Sequence, residues 1–331
     1  MHPAVKSAQP AQQFFDGFAE YYLETPEGRI FYRSAGTGPP LVLLHGYPQT
    51  SAMWHAVAPA LAQTYQVICP DLRGYGRSFK PTTDRQHSPY AKRAMASDVL
   101  ALMDHLGHDQ FLIGAHDRGG RVAHRLAADN PDRVSALSVL DIAPTREMYR
   151  EAGSAFAHTY WHWYWLTLPH PFPETLIGAD PAFFWLSKCG AGKAGLAPFA
   201  QQALDEYLTC FGASDAIHGA CEDYRAAATI DIAHDDADRN HRTVTRGDLD
   251  TLSGVERGVV TTGDLLLLEQ FELARGDVVV IDRIGRDHAL VGQPQGVLIV
   301  FGIVAQPCAE AGLGKGDRLD QIGILVGPQL D

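Results

Sequence analysis

The sequence predicts an α/β protein: a mostly parallel sheet flanked by helices, with an inserted helical segment. Three observations predict it. Short apolar runs alternate with longer helix-spaced stretches over the first 144 residues. Residues 145–240 are aromatic-rich, with helical spacing and no strand pattern. Apolar runs of strand length return near residue 277. Strand–helix–strand alternation buries a sheet on both faces only when the strands run parallel.

In chain order, residues 1–19 read as a lead-in, and 22–23 with 29–33 as an opening hairpin. Residues 40–45 form a continuous apolar run that ends in His45-Gly46, the pattern of a strand buried on both faces. A helix over 54–61 follows, then a strand over 65–71 that closes on Asp71-Leu72-Arg73-Gly74. Met95, Val99, Leu102, Met103 and Leu106 carry helical spacing within 90–106. A strand over 111–115, a helix over 119–128 and a strand over 134–140 complete the first part. The expected division is a core over 20–144, a helical cap over 145–240 and an atypical end of the core over 241–331. Within that end, 277–282 reads as a strand and 296–305 as an apolar run.

Composition narrows the function. With 331 residues there is room for one large α/β domain with an insertion, or for two small domains. A net charge of -12 argues against nucleic acid and anionic membranes as partners, but not against a small anion held by local arginines. The five cysteines are scattered and form no CxxC, so they read as free thiols without a zinc site. The start of the chain lacks the apolar core of a signal peptide, and no window holds about 18 uninterrupted apolar residues. The expected location is the cytoplasm.

The chemistry centres on Ala115-His116-Asp117-Arg118-Gly119, between a strand and a helix. Small residues flank a nucleophile position, as in the sharp elbow that lifts a catalytic side chain above the strand ends. Here that residue is Asp117 rather than a serine. Seventy residues upstream, His45-Gly46-Tyr47 offers the Tyr47 backbone N–H, and Arg118 offers a second, as an oxyanion hole. A carboxylate nucleophile displaces a leaving group from carbon and forms an ester, which water then cleaves. Arg118 and Arg121 lie three apart on one helix face, where paired guanidinium groups suit a carboxylate substrate and keep Asp117 ionised.

His45-Gly-Tyr-Pro-Gln-Thr50, Asp71-Leu-Arg-Gly-Tyr-Gly-Arg-Ser78 and His116-Asp-Arg-Gly-Gly-Arg121 resemble the fluoroacetate dehalogenases of the α/β-hydrolase superfamily. The resemblance covers roughly residues 20–240. It implies the α/β-hydrolase fold with a helical cap, no cofactor or metal, a haloacid substrate and a homodimer. It also implies that Asp141 orients the catalytic histidine, and that His162, Trp163 and Tyr224 form a halide pocket. An imidazole, an indole and a phenol can each donate to a departing fluoride.

Beyond residue 241 the resemblance fades. His288 is the only histidine after His241, and it follows a strand after a short loop. It is therefore the candidate base for the hydrolytic water. Asp250, Glu256 and Asp264 are weaker alternatives to Asp141. The segment is either a diverged working end of the fold or foreign sequence that would leave the ester uncleaved. Two other readings stay open. One is an epoxide hydrolase using Asp117 with Tyr160, Tyr164 or Tyr224 as proton donors. The other is an impaired hydrolase fold that binds without turnover.

Overall fold

The computed structural model describes residues 13–150, 152–190, 195–241, 278–282 and 298–302. Eight strands form one sheet: β1 (Ala19–Glu24), β2 (Arg29–Ala35), β3 (Pro40–Leu44), β4 (Gln66–Pro70), β5 (Phe111–His116), β6 (Val134–Leu140), β7 (Val278–Asp282) and β8 (Leu298–Gly302). Their spatial order is β1-β2-β4-β3-β5-β6-β8-β7. The pairs from β4 through β3, β5 and β6 to β8 are parallel, whereas β1, β2 and β7 join antiparallel. The expected hairpin is present, with Tyr22 opposite Phe31. The apolar run near residue 300, which carries no alternation to mark it as a strand, becomes β8 beside β6.

Eleven α-helices lie among the described residues. α1 (Ala58–Leu61), α2 (Lys92–His105) and α3 (Arg118–Asp129) connect the strands. α4 (Thr145–Arg150), α5 (Ser154–Thr159), α6 (His162–Trp165), α7 (Phe172–Ala179) and α8 (Pro181–Cys189) follow β6. Then come α9 (Gln201–Phe211), α10 (Ser214–Ala226) and α11 (Ile232–His241), the last two joined through a π-helical turn. No strand occurs among the described residues between β6 and β7. The helix expected over 54–61 is divided: residues 51–56 form a 3-10 turn and α1 starts afresh at Ala58. Pro59 stands in the first turn of α1, where its missing N–H costs nothing, and it cannot continue a helix from before. No described helix is long and apolar enough to cross a membrane.

Strand periodicity sorts the core. Val42, Leu44, Ile68, Ile113 and Val139 face one side, against Met95, Val99 and Leu102 of α2 and Val122 and Leu126 of α3. Leu41, Leu43, Val67 and Cys69 face the other, against Phe15, Phe18, Trp54 and Ala58. Successive side chains of a strand point to opposite faces, so one apolar run feeds two packing layers. This is why those runs carry no polar alternation. Cys69, Cys189, Cys210 and Cys221 are free thiols; Cys308 lies outside the described residues.

Register then places the site. Leu44 of β3 and Val139 of β6 both pair with Ala115 of β5. The chain therefore leaves three adjacent parallel strands at one level, delivering Gly46-Tyr47, Asp117 and Asp141 to one edge of the sheet. In open α/β sheets, ligand sites form at such carboxyl ends.

Candidate active site

Asp117 ends β5 with φ 48° and ψ -118°, a conformation that L residues avoid, before α3 begins at Arg118. The turn is possible because its neighbours are small. A Cβ on Gly46 would lie 2.5 Å from the Asp117 Cβ, and one on Gly119 would lie 2.4 Å from the His45 carbonyl oxygen. Within this turn the Tyr47 N–H donates to Asp117 Oδ1 at 2.9 Å. Burial pushes the Asp117 carboxyl pKa up. Neighbouring His116 and Arg118, together with the backbone N–H groups of Tyr47 and Arg118, outweigh it and hold the group below the ordinary carboxylate range.

The loop that presents Tyr47 is built around His45. The fully buried ring accepts from the Leu72 N–H at Nε2 (3.0 Å) and faces the Gly46 carbonyl with Nδ1 (3.1 Å). That pairing requires the proton on Nδ1, and burial lowers the ring pKa, which keeps it neutral. Asp71 ties the next motif to the same loop, accepting from the Ser51 and Arg77 N–H groups at 2.7 and 2.8 Å. These motifs carry the sequence resemblance, yet His45 and Asp71 act as scaffold.

The two arginines divide. Arg118 is fully buried and committed to Asp223, donating from Nε to Oδ2 (2.9 Å) and from Nη2 to Oδ1 (2.7 Å). Its guanidinium also stacks over the Tyr224 ring at 4.2 Å. Arg121 is buried over the Trp163 ring at 4.5 Å, and none of its three guanidinium nitrogens finds an acceptor among the described residues. Burial and repulsion from Arg118 lower the Arg121 pKa to about 10, so it remains a cation at neutral pH.

The helices after β6 close over this edge. His162 and Trp163 lie on α6 and Tyr224 on α10. The Tyr47 ring lies 6.2 Å from His162 and 5.2 Å from Tyr224, and Tyr224 lies 5.8 Å from His162 and 6.4 Å from Trp163. Burial lowers the His162 pKa to about 3 and raises that of Tyr224 well above 10, so the imidazole is neutral and the phenol keeps its proton. The structure thus brings together Tyr47, Asp117, Arg118, Arg121, His162, Trp163 and Tyr224. Asp141 follows β6 beside the elbow, with φ 51° and its pKa raised by burial. His288, Asp250, Glu256 and Asp264 lie outside the described residues.

Two contributors escape a reading of the sequence. Tyr149 packs against Trp163 at 5.2 Å, with a buried hydroxyl that lacks a partner among the described residues. Asp223 is fully buried and receives Arg118, Lys92 and the Tyr75 hydroxyl. Those charges hold its carboxyl far below the usual range despite burial. An acid next to Tyr224 in a charged stretch gives no signal of this in sequence.

Residues 39–191 match the family model of the α/β-hydrolase fold. A fluoroacetate dehalogenase from Burkholderia sp is 47% identical over 226 residues, which is 68% of this chain and 74% of that protein. The chain belongs to the α/β-hydrolase family. A soluble epoxide hydrolase from Corynebacterium sp. (strain C12) is 50% identical over 116 residues, but the match spans only 39% of its length. Among solved structures, an assigned α/β hydrolase from Nostoc sp PCC 7120 aligns with TM-score 0.65 at 50% identity, covering 68% of this chain and 77% of that one. A protein from Pseudomonas aeruginosa assigned as an epoxide hydrolase aligns equally well, with TM-score 0.65 at 40% identity, covering 70% of this hydrolase and 77% of its own chain.

Proposed function

We propose that this hydrolase removes halide from a short 2-haloacid, fluoroacetate or chloroacetate, to give glycolate. One observation carries the substrate class. A buried guanidinium without an acceptor among the described residues, Arg121, stands on the helix that Asp117 opens. A buried unpaired cation is costly, and a substrate carboxylate removes that cost. Arg118 Nη1 and the Tyr149 hydroxyl, also without acceptors among the described residues, add further donors.

In the proposed reaction, Asp117 Oδ1 stays on the Tyr47 N–H group, the Arg118 N–H also holds the carboxylate, and Oδ2 is the oxygen that attacks. It forms a bond to the halogen-bearing carbon as the carbon–halogen bond breaks. The halide leaves toward His162, Trp163 and Tyr224, whose N–H and O–H groups stabilise its growing charge. Water then attacks the ester carbonyl, with its oxyanion on the same two N–H groups. His288 takes the water proton and Asp141 orients His288. Helices of the 145–240 segment act as a cap that excludes water from the displacement step.

Purified protein with fluoroacetate and chloroacetate tests this by halide release over many turnovers. Sustained release, abolished in Asp117→Asn, is expected. Release that stops near one halide per enzyme would leave the nucleophile intact but refute a working hydrolytic half. Absence of release from folded protein would sink the haloacid assignment. The second reading, epoxide hydrolysis, draws on the protonated Tyr224 beside Asp117. It is weakened by Tyr160 and Tyr164, which are 41% and 39% exposed. Turnover of styrene oxide without haloacid activity would favour it.

A further inference from the structure

Away from Asp117, the loop before α7 meets α10 at a cleft lined by Thr83, His87, His170, His218 and Glu222. There His170, Glu174 and His218 each present one donor atom within 4.8 Å of the other two. His218 Nδ1 lies 3.0 Å and His170 Nδ1 3.3 Å from the same oxygen, Glu174 Oε1. Arg225 Nη1 donates to that oxygen as well, at 2.7 Å. Three nitrogens therefore crowd one carboxylate oxygen. The two imidazole distances are close to the edge of a tetrahedron of ligands around zinc, about 3.4 Å for bonds of about 2.1 Å.

We propose that His170, Glu174 and His218 bind a divalent transition-metal ion of the zinc class, which staples the loop before α7 to α10. Two imidazoles and one carboxylate select zinc, cobalt or nickel over magnesium or calcium, which prefer all-oxygen shells. Glu174 and Glu222 against Arg225 leave one net negative charge for the cation. Arg225 donates to both Glu174 oxygens, at 2.7 and 3.1 Å, so a metal shares Oε1 with it through the second lone pair. The guanidinium is held independently by Glu222 Oε1 at 2.7 Å and by the Leu168 carbonyl at 2.6 Å. From there it orients the Glu174 carboxylate, the usual part of an outer partner to a metal-bound acid. His170 is 60% exposed, so an ion can enter from solvent, with water completing its shell. Because α10 carries Asp223 and Tyr224, the ion would brace the helix that faces Asp117 while remaining outside the chemistry.

The test uses untagged full-length protein stripped with a chelator. Zinc is titrated calorimetrically, and cobalt by its visible absorption. The expected result is one equivalent bound, intense tetrahedral cobalt bands and a zinc-dependent rise in Tm. Affinity should fall at least about tenfold in His218→Ala and Glu174→Gln, the size of effect expected when a metal-site group is lost. It should be unchanged in His158→Ala, an exposed histidine elsewhere. Halide release should persist in the chelated protein, which separates this site from the catalytic reading. If His218→Ala does not fold, His170→Ala carries the test, since its side chain is largely exposed. No binding, or equal binding in wild type and both histidine variants, overturns the proposal.

Discussion

At the elbow, Asp117 is held by backbone: a left-handed φ, two small neighbours and N–H groups from Tyr47 and Arg118. Across from it, α6 and α10 present His162, Trp163 and Tyr224, whose groups are held by ring packing. The same contrast divides the arginines of α3. Arg118 is paired with a buried carboxylate, and Arg121 has no acceptor among the described residues. The elbow tolerates little exchange, because a Cβ at Gly46 or Gly119 would collide with it, whereas ring packing on the facing helices leaves more room for substitution. Relatives bearing dehalogenase and epoxide hydrolase names fit this division.

The largest expected effect breaks the elbow side. Asp117→Asn keeps the shape but removes the proposed nucleophile, and halide release should fall by roughly 10⁴-fold or more. Steady-state halide assays check this, with circular dichroism to confirm folding.

The arginine contrast gives the next effect. Arg118→Met takes one of two cations from the buried Asp223, which keeps Lys92, and should cost up to about 3 kcal/mol of stability in urea unfolding. Arg121→Met removes a buried cation that has no acceptor among the described residues, so its stability should hold or rise. Its kcat/KM for haloacid should nevertheless drop by about 10²-fold or more, as when one partner of a buried charge pair is truncated. Equal stability losses in the two variants would erase the distinction.

The halide side is probed by Tyr224→Phe. Loss of one phenol donor should slow fluoride release by about 10²-fold, the scale of one transition-state hydrogen bond. Chloride, a better leaving group, should suffer less. A parallel loss for both halides would place Tyr224 in packing alone.

The smallest effect concerns acid stability. His162 has its folded pKa lowered to about 3, below its unfolded value, so the unfolded state binds the extra proton. Its contribution is full above pH 6.5 or so and is lost as pH falls from there toward 3. Between pH 7 and 4.5, wild type should lose about 2 kcal/mol more stability than His162→Asn, measured by urea unfolding at each pH.

Much of the first 140 residues was legible because its signals are local. Apolar runs over 40–44 and 111–115, and the small-residue frame around Asp117, depend only on neighbouring positions. The break before Pro59 was equally visible in principle but lost to the surrounding helical spacing. Resemblance brought forward His162, Trp163 and Tyr224, which composition cannot separate from the packed Trp185. The apolar run that becomes β8 shows no strand alternation, and continuous apolar runs are common in strands of parallel sheets, so alternation alone could not reveal it.

The sequence by itself determined the α/β alternation, the elbow and the residue at its tip, since backbone strain and strand burial leave their mark on consecutive residues. Tertiary structure alone decided which arginine pairs with a carboxylate and which has no acceptor among the described residues. Arg118 and Arg121 are the same residue type on one helix. What distinguishes them is Asp223, which lies 105 positions beyond Arg118 in the chain and 2.7 Å from its guanidinium in space.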